Sequence, residues 1–497
     1  MNGGEASVTS ELANELQEKA TTGGGSEETS KVQESKPQQK AWADISSDED
    51  ESNPVLNKAN NDDVVDVSGI DPGDKSADVQ VLQADPSTPY YSATSFEELN
   101  LSESLLRGIY ANKFNKPSKI QATSLPMILG KDAKGLYKNL VGQAHNGSGK
   151  TACFVLGMLS RIDDSCNEVQ SICVVPTREL ARQIQEVVET LGKFTKVKVY
   201  LAVKQSDEER KNWRDQNEPT SRNITQQVVI GTPGKLLDLI KKRSIDTKKV
   251  KVFVLDEADV MVDTQGMGDQ TLRIKRTLPR DVQTLLFSAT YADEVRELAL
   301  KIAPDANQIT VKREQLSLDS IKQYYFDCSK DGADGRFNVL SDIYSYLTIG
   351  QSIIFVRTRA AASELSTRMR AEGHTVSLLY GGEMTPEERD RVIDEFRSAT
   401  TKVLITTNVL ARGVDILQVT VVINYDLPTD HTGTQADPET YLHRIGRTGR
   451  FGRKGVAINF VHDAASRSVL AELERYYGRP TTKVEDVEEL ERRIQEL

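Results

Sequence analysis

The sequence predicts two α/β domains in tandem, each a parallel sheet covered by helices, behind an acidic segment with no core of its own. Three observations carry that reading. Short apolar runs are apolar at consecutive positions, which marks strands buried on both faces. Amphipathic stretches of helical length separate those runs. The alternation halts once, at APDANQITVKREQLSLDS, and then begins again.

Residues 1–94 come first and are rich in Ser, Glu, Asp, Gly and Gln, with Trp42, Tyr90 and Tyr91 as their only aromatics. Such a composition cannot bury enough apolar surface to offset its ordering entropy, so a disordered tail is expected. A short helix near SELANELQEKA has no support elsewhere in the chain. The segment's 19 Asp and Glu against 6 Lys and Arg give it a charge of −13, which leaves +2 for the remainder of a chain whose net charge is −11. The folded part therefore neither demands nor excludes a nucleic-acid partner by charge alone.

Domain one is placed at residues 95–312, where NLVGQA, SICVVP, VKVYLAV, QVVIGTP, VFVLDEA and TLLFSAT read as strands joined through helices such as RELARQIQEVVETLGKF. A linker is expected at 313–317. Domain two, 318–497, repeats the grammar with SIIFVRT, TVSLLYG, KVLITT, VTVVINY and GVAINFV. A length of 497 residues suits two or three domains. No run of about 18 apolar residues suggests a membrane span, and the first residues lack the basic start and apolar stretch of a secretory signal. A soluble intracellular protein is expected. Cys153, Cys166, Cys173 and Cys328 form no CxxC pair, which favours reduced thiols over a disulfide or a zinc site.

The chemistry is concentrated in motifs. The first strand of domain one runs into AHNGSGKT, residues 144–151: Ala144, His145, Asn146, Gly147, Ser148, Gly149, Lys150 and Thr151. A glycine-bearing turn followed by Lys and Thr at a helix start lets backbone N–H groups wrap a polyphosphate, with Lys150 near the terminal phosphates and Thr151 on Mg²⁺. Ala144 stands where the strict motif has Gly. VFVLDEAD then ends an apolar strand in Asp256 and Glu257. Strand-end carboxylates beside a phosphate loop suit one acid to hold Mg²⁺ and the next to orient or deprotonate a water.

With KFNKPSKIQ (113–121), PTREL (176–180), TPGK (232–235), SAT (288–290), SIIFVRTR (352–359), TTNVLARGVD (406–415) and HRIGRTGR (443–450), the chain resembles the DEAD-box RNA helicases from Phe96 to Arg450. The resemblance implies two RecA-like domains, with ATP and Mg²⁺ as the cofactors. It places adenine against Gln121, with Phe114 as a stacking face and Phe96 closing the pocket, although Phe96 reads also as plain core. Gly413 and Asp415 join the ATP site from domain two, Asp415 on the ribose. Arg447 and Arg450, three apart and on one face if helical, become arginine fingers. His443, Ser288 and Thr290 couple hydrolysis to domain closure. RNA is implied at Thr177, Arg178, Thr232 and Gly234 of domain one and at Arg357, Arg389 and Thr407 of domain two, through phosphate and 2′-OH rather than base edges. Arg389 reads equally well as a surface helix charge.

Two departures stand out. The usual Gly pair after the third strand is replaced by AVKQSDEER around Lys204, and the usual QxxR element has Pro386 at its Gln position, leaving Arg389. The connection YDLPTDHTGTQADPETYL before HRIGRTGR is longer than the usual family spacing and resembles the DEAD-box helicases of messenger RNA export. That resemblance implies work on messenger ribonucleoprotein at the cytoplasmic face of the nuclear pore complex, in a protein of cytoplasm and nucleus. The implied partners are single-stranded RNA, a β-propeller nucleoporin on domain one and an export activator gripping domain two with inositol hexakisphosphate. The implied protein works as a monomer with no membrane partner. The rival readings are a helicase of translation initiation or ribosome assembly, and an ATP-gated RNA clamp.

Overall fold

The computed structural model describes residues 79–83, 90–144, 147–204, 223–264, 266–311, 320–330, 332, 334–347, 349–381, 384–408, 419–430, 432–449 and 454–496. Its strands form two sheets, in the orders β1-β8-β2-β7-β6-β3-β5-β4 and β11-β12-β10-β13-β14-β9-β15. The first contains β1 (Val79–Leu82), β2 (Leu140–Gln143), β3 (Ser171–Val174), β4 (Val199–Ala202), β5 (Val228–Gly231), β6 (Val252–Leu255), β7 (Gln283–Ser288) and β8 (Asn307–Val311). Its helices are α1 (Glu103–Ala111), α2 (Lys119–Leu129), α3 (Lys150–Ser160), α4 (Arg178–Leu191), α5 (Pro233–Lys241), α6 (Ala258–Asp263), α7 (Met267–Lys275) and α8 (Asp293–Ile302).

The second sheet contains β9 (Ile321–Asp327), β10 (Gln351–Phe355), β11 (Val376–Leu379), β12 (Val403–Thr406), β13 (Val419–Asn424), β14 (Gly455–Val461) and β15 (Thr482–Lys483). Around it lie α9 (Gly335–Tyr346), α10 (Arg359–Ala371), α11 (Pro386–Arg397), α12 (Pro438–Ile445), α13 (Ala464–Tyr477) and α14 (Val487–Gln495). This is the expected pair of RecA-like parallel-sheet domains.

Consecutive apolar residues do what their spacing predicts. In β6, Val252 and Val254 enter one hydrophobic cluster while Phe253 and Leu255 enter the cluster on the other face. In β10 and just beyond it, Ile354 and Val356 divide from Ile353 and Phe355 in the same way. Where strands crowd, side chains are given up: a Cβ on Gly142 of β2 would lie 2.8 Å from the Phe287 ring of β7.

The described residues include a strand before the expected boundary at residue 94. Val79–Leu82 adds antiparallel to β8, Val81 opposite Ile309. Tyr90 Oη accepts from Asn307 Nδ2 at 3.1 Å, and Ala93 is buried with its N–H on Ala122 O. A four-residue strand flanked by acids has no signal of its own; β8 supplies it. NQITV, read as the halt between domains, is β8 itself and pairs parallel with β2. β9, IKQYYFD, was hidden by its polar residues and draws its order from β14 and β15. The linker at 313–317 and the helix near SELANELQEKA lie outside the described residues. The four cysteines are free thiols. Among the described residues no helix is long and apolar enough to cross a membrane.

Candidate active site

The phosphate loop follows β2, and α3 starts immediately after it. Gly147 and Gly149 hold φ of +83° and +97°, the left-handed region that glycine enters without strain. Lys150 is buried, and its Nζ donates to Ala144 O. Ala144 continues the sheet by donating its N–H to Ser288 O, so the missing glycine leaves the loop's start in place. Ser118 and Gln121 form a capping box on α2. Gln121 Oε1 accepts from Ser118 N–H at 2.9 Å and its Nε2 donates to Gly149 O at 3.2 Å, while Ser118 Oγ donates to Ser148 O at 2.8 Å. The glutamine thus braces the phosphate loop. Phe114 is exposed and free to stack, whereas Phe96 sits in the core, 2% exposed. Thr151 is half-buried at the first turn of α3. His145 and Asn146 lie outside the described residues.

β6 delivers Asp256 and Glu257 to the same edge. Both are buried. Burial pushes the Asp256 carboxyl up to about 7, opposed by the nearby Lys150 ammonium. Glu257 takes the left-handed conformation, φ +51°, and its Oε2 is buried with no hydrogen-bond partner among the described residues. A strained, unsatisfied acid next to a destabilised carboxylate is a site built for something absent from the chain. A hydrated divalent cation fits that need, and no group of three or more His, Cys, Asp or Glu among the described residues makes a protein-only metal cage.

The second domain closes over this edge. Asp259 is fully buried and accepts from Thr290 N–H and Thr290 Oγ1, each at 3.1 Å, with His443 Nε2 of α12 at 3.3 Å from the same oxygen. Its own N–H donates to Ser288 Oγ. Thr290 Oγ1 also donates to Glu439 Oε1 of α12 at 2.8 Å. Ser288, Thr290 and His443 therefore all meet around Asp259. Asp259 and Glu439, which join them, were missed. Asp259 is the last letter of DEAD and was legible; Glu439 had no signal.

Helix α12 ends at Ile445, so Arg447 lies beyond the helix. Arg447 sits in the turn beyond Gly446, buried, its Nε donating to His443 O at 2.9 Å. Gly449, φ +68°, continues the turn where a Cβ would lie 2.6 Å from Ile321. Arg450, Gly413 and Asp415 lie outside the described residues. Another missed residue is Arg444, fully buried, donating to Asn408 Oδ1 at 3.1 Å, Asn424 Oδ1 at 3.1 Å and Asp426 O at 2.7 Å. Burial pulls its guanidinium down to about 9.

On another side of the domain junction, α4 faces α11. Arg178 Nη1 donates to Lys204 O, and its Nη2 pairs with Asp390 Oδ2 at 2.9 Å. Arg182 reaches the same carboxylate. Arg389 Nη2 pairs with Glu179 Oε1 at 2.6 Å, so it is not a free surface charge. Pro386 occupies the first turn of α11 behind a Thr385–Glu388 capping box, where no N–H is needed. Thr177 caps α4, Thr232 precedes α5 without a side-chain cap bond, Gly234 is exposed, and Arg357 and Thr407 follow the neighbouring strands β10 and β12.

Sequence comparisons agree with this geometry. A profile described as DEAD/DEAH box helicase matches residues 118–298, and one described as helicase conserved C-terminal domain matches 335–452. The ATP-dependent RNA helicase dbp5 of Schizosaccharomyces pombe is 51% identical over 413 residues, 83% of this chain and 78% of the relative. That of Saccharomyces cerevisiae is 50% identical over 419 residues, 83% of each. The structure of S. cerevisiae Dbp5 bound to RNA and ADP BeF3 is 49% identical with a TM-score of 0.74, covering 81% of this chain and 99% of that one. A variant of the yeast protein bound to Nup159, Gle1, IP6 and ADP is 47% identical with a TM-score of 0.58, covering 80% and 99%.

Proposed function

This chain belongs to the DEAD/DEAH box helicases, and on that premise we propose that it is an ATP-dependent RNA helicase that remodels RNA–protein complexes during messenger RNA export. ATP would lie on the phosphate loop, its base between Phe114 and Gln121, its terminal phosphates near Lys150. Magnesium would rest against Asp256 and Thr151 Oγ1, and when bound it neutralises polyphosphate charge. Glu257 would orient or deprotonate the attacking water, and Arg447, with Arg450 after it, would meet the charge on the transferring phosphoryl group. Single-stranded RNA would run over Thr177, Arg178, Thr232 and Gly234, then Arg357, Arg389 and Thr407. Closure would bend the strand and expel a short duplex or a bound protein; hydrolysis would reopen the cleft.

The observation that supports this reading most is Asp259, two residues beyond Glu257, held by Thr290 and facing His443 of the other domain. Whatever closes the domains also completes the acid edge. Export is supported by the extended likeness to the yeast protein solved with Nup159, Gle1 and IP6. The corresponding partners here would be a β-propeller nucleoporin and an export activator with inositol hexakisphosphate, at the cytoplasmic face of the nuclear pore.

The test is ATP hydrolysis with and without single-stranded RNA, wild type beside Lys150→Ala, repeated with the activator and inositol hexakisphosphate. RNA stimulation that falls by about 10²–10³-fold in the variant is expected, with a further rise on adding the activator. Stimulation without an activator response would keep the helicase and remove the export role. Hydrolysis indifferent to RNA would remove both.

A further inference from the structure

The second domain carries a cavity of about 350 Å³ that the ATP site does not use. It lies over the carboxyl ends of β10, β13 and β14, where open α/β sheets hold ligands. The amino ends of α10 and α13, capped by Thr358 and Asp463, open onto it. Leu427 and Val469 supply an apolar floor.

One wall is the connection that the sequence marks as long. Thr429 and Gly433 line the cavity, and the described residues around them are tied together: Thr429 bridges antiparallel to Ala436, Asp430 Oδ1 accepts from Thr434 N–H at 3.2 Å and Gln435 N–H at 3.3 Å, and Ala436 N–H donates to Glu472. The extra length makes a wall instead of slack chain.

Opposite stand Arg336, Arg357 and His462. Arg336 lies 4.5 Å over the Tyr425 ring and pairs with Asp426 at 2.7 Å; Asp426 also accepts from Arg357 N–H at 2.8 Å. His462 Nδ1 is buried and has no hydrogen-bond partner among the described residues. Burial first, then Arg336, hold that imidazole below its ordinary pKa, leaving one nitrogen to donate and one to accept. Two arginines against Asp426 and Asp463 leave little net charge. A polyanion gains little here, whereas a flat polar ring carrying a single phosphate suits both the walls and the charge.

The neighbour of this cavity in the sheet is the expected RNA path. Phe355 of β10 registers with Thr406 of β12 on one side and Asn424 of β13 on the other. Arg357 thus stands between Thr407 and the cavity. We propose that the cavity holds one further nucleotide of single-stranded RNA, its base against His462, Thr429 and Gly433, its phosphate at Arg357 and the amino end of α10. The inference rests on the RNA reading given above.

Its test is RNA length. Labelled RNA of about six nucleotides, and versions lengthened by one or two nucleotides at either end, are titrated into the full chain with ADP-beryllium fluoride. Lengthening at one end should tighten wild-type binding by about tenfold, the scale of one stacked base. His462→Ala, and Ala465→Trp at the exposed mouth, should each reduce that gain to less than about twofold, with unfolding midpoints checking that the domain is intact. A gain that persists in both folded variants overturns the proposal, as does a wild type that gains at neither end. Protection of the cavity by free AMP or UMP without any gain from longer RNA also overturns it, in favour of a free nucleotide. A wild type that fails to bind even the short RNA would instead sink the RNA reading itself.

Discussion

The two domains meet along two seams built in opposite ways. On the ATP side, Asp259 and His443 are both 0% exposed, and Thr290 bridges them to Glu439 through hydrogen bonds. On the α4–α11 side the contacts are ion pairs of rising exposure: Arg178 with Asp390 (8% and 15%), Arg389 with Glu179 (22% and 5%), and Arg397 with Glu186 (30% and 59%). A buried group left unsatisfied costs about 1–3 kcal/mol, whereas an exposed pair contributes about 0–1 kcal/mol. The first seam is therefore all-or-none and suits a gate on chemistry. The second is graded, and its cations, Arg178 and Arg389, are the same ones expected to meet RNA phosphates. On the proposed RNA path, RNA and the second seam would draw on shared guanidinium groups.

The sharpest way to break this contrast is Asp259→Ala, which strips the acceptor from Thr290 and His443 at once. RNA-stimulated kcat should fall by about 10²-fold or more, because the acid edge and the second domain lose their common register. Steady-state kinetics at saturating RNA decide it; a loss below about tenfold would mean the buried seam does not gate hydrolysis. Glu439→Gln keeps an acceptor for Thr290 Oγ1 and removes only charge, so kcat should fall by about threefold, the scale of one weakened hydrogen bond. A loss as deep as that of Asp259→Ala would place the gate on Glu439 instead.

The same contrast explains what could be read from the chain. Strands such as VFVLDEAD announce themselves because both faces are buried, and Ser288 and Thr290 lie at or just past the end of such a strand, β7. Seam partners were not legible: Glu439, Asp390 and Glu179 are ordinary helix acids until the other domain lies against them, and their pairs span about 150 to 210 residues of chain. Arg447 lies outside a helix because α12 stops at Ile445 with Gly446 as its C-cap. β1 and β8 were lost where local pattern was weak and pairing alone made the strand.

The ion-pair seam should answer to charge exchange. Glu179→Arg and Arg389→Glu each set like charges together, and the double variant restores an opposite pair. Domain closure with a non-hydrolysable ATP analogue and no RNA, read by a fluorescence distance between the domains, should weaken by about fivefold in each single variant and recover by most of that in the double, a coupling of about 1 kcal/mol. Raising salt from about 0.1 to 0.5 M should shrink the coupling and leave the Asp259→Ala loss unchanged. Without recovery in the double variant, the pair is proximity without energy.

The smallest effect belongs to Arg397→Ala. Its partner Glu186 is mostly in water and 3.4 Å away, so solvent already satisfies both charges and holding them together costs side-chain entropy. Closure should change by less than about twofold, inside the 0–1 kcal/mol range of exposed pairs. The variant matters because it sits on the same two helices as Arg389 and differs from it chiefly in burial. If Arg397→Ala weakened closure as much as Arg389→Ala, burial would not be what orders the seam, and total charge on α11 would have to replace individual pairs as the cause. A negligible change beside a clear Arg389 effect locates the coupling at the half-buried pair.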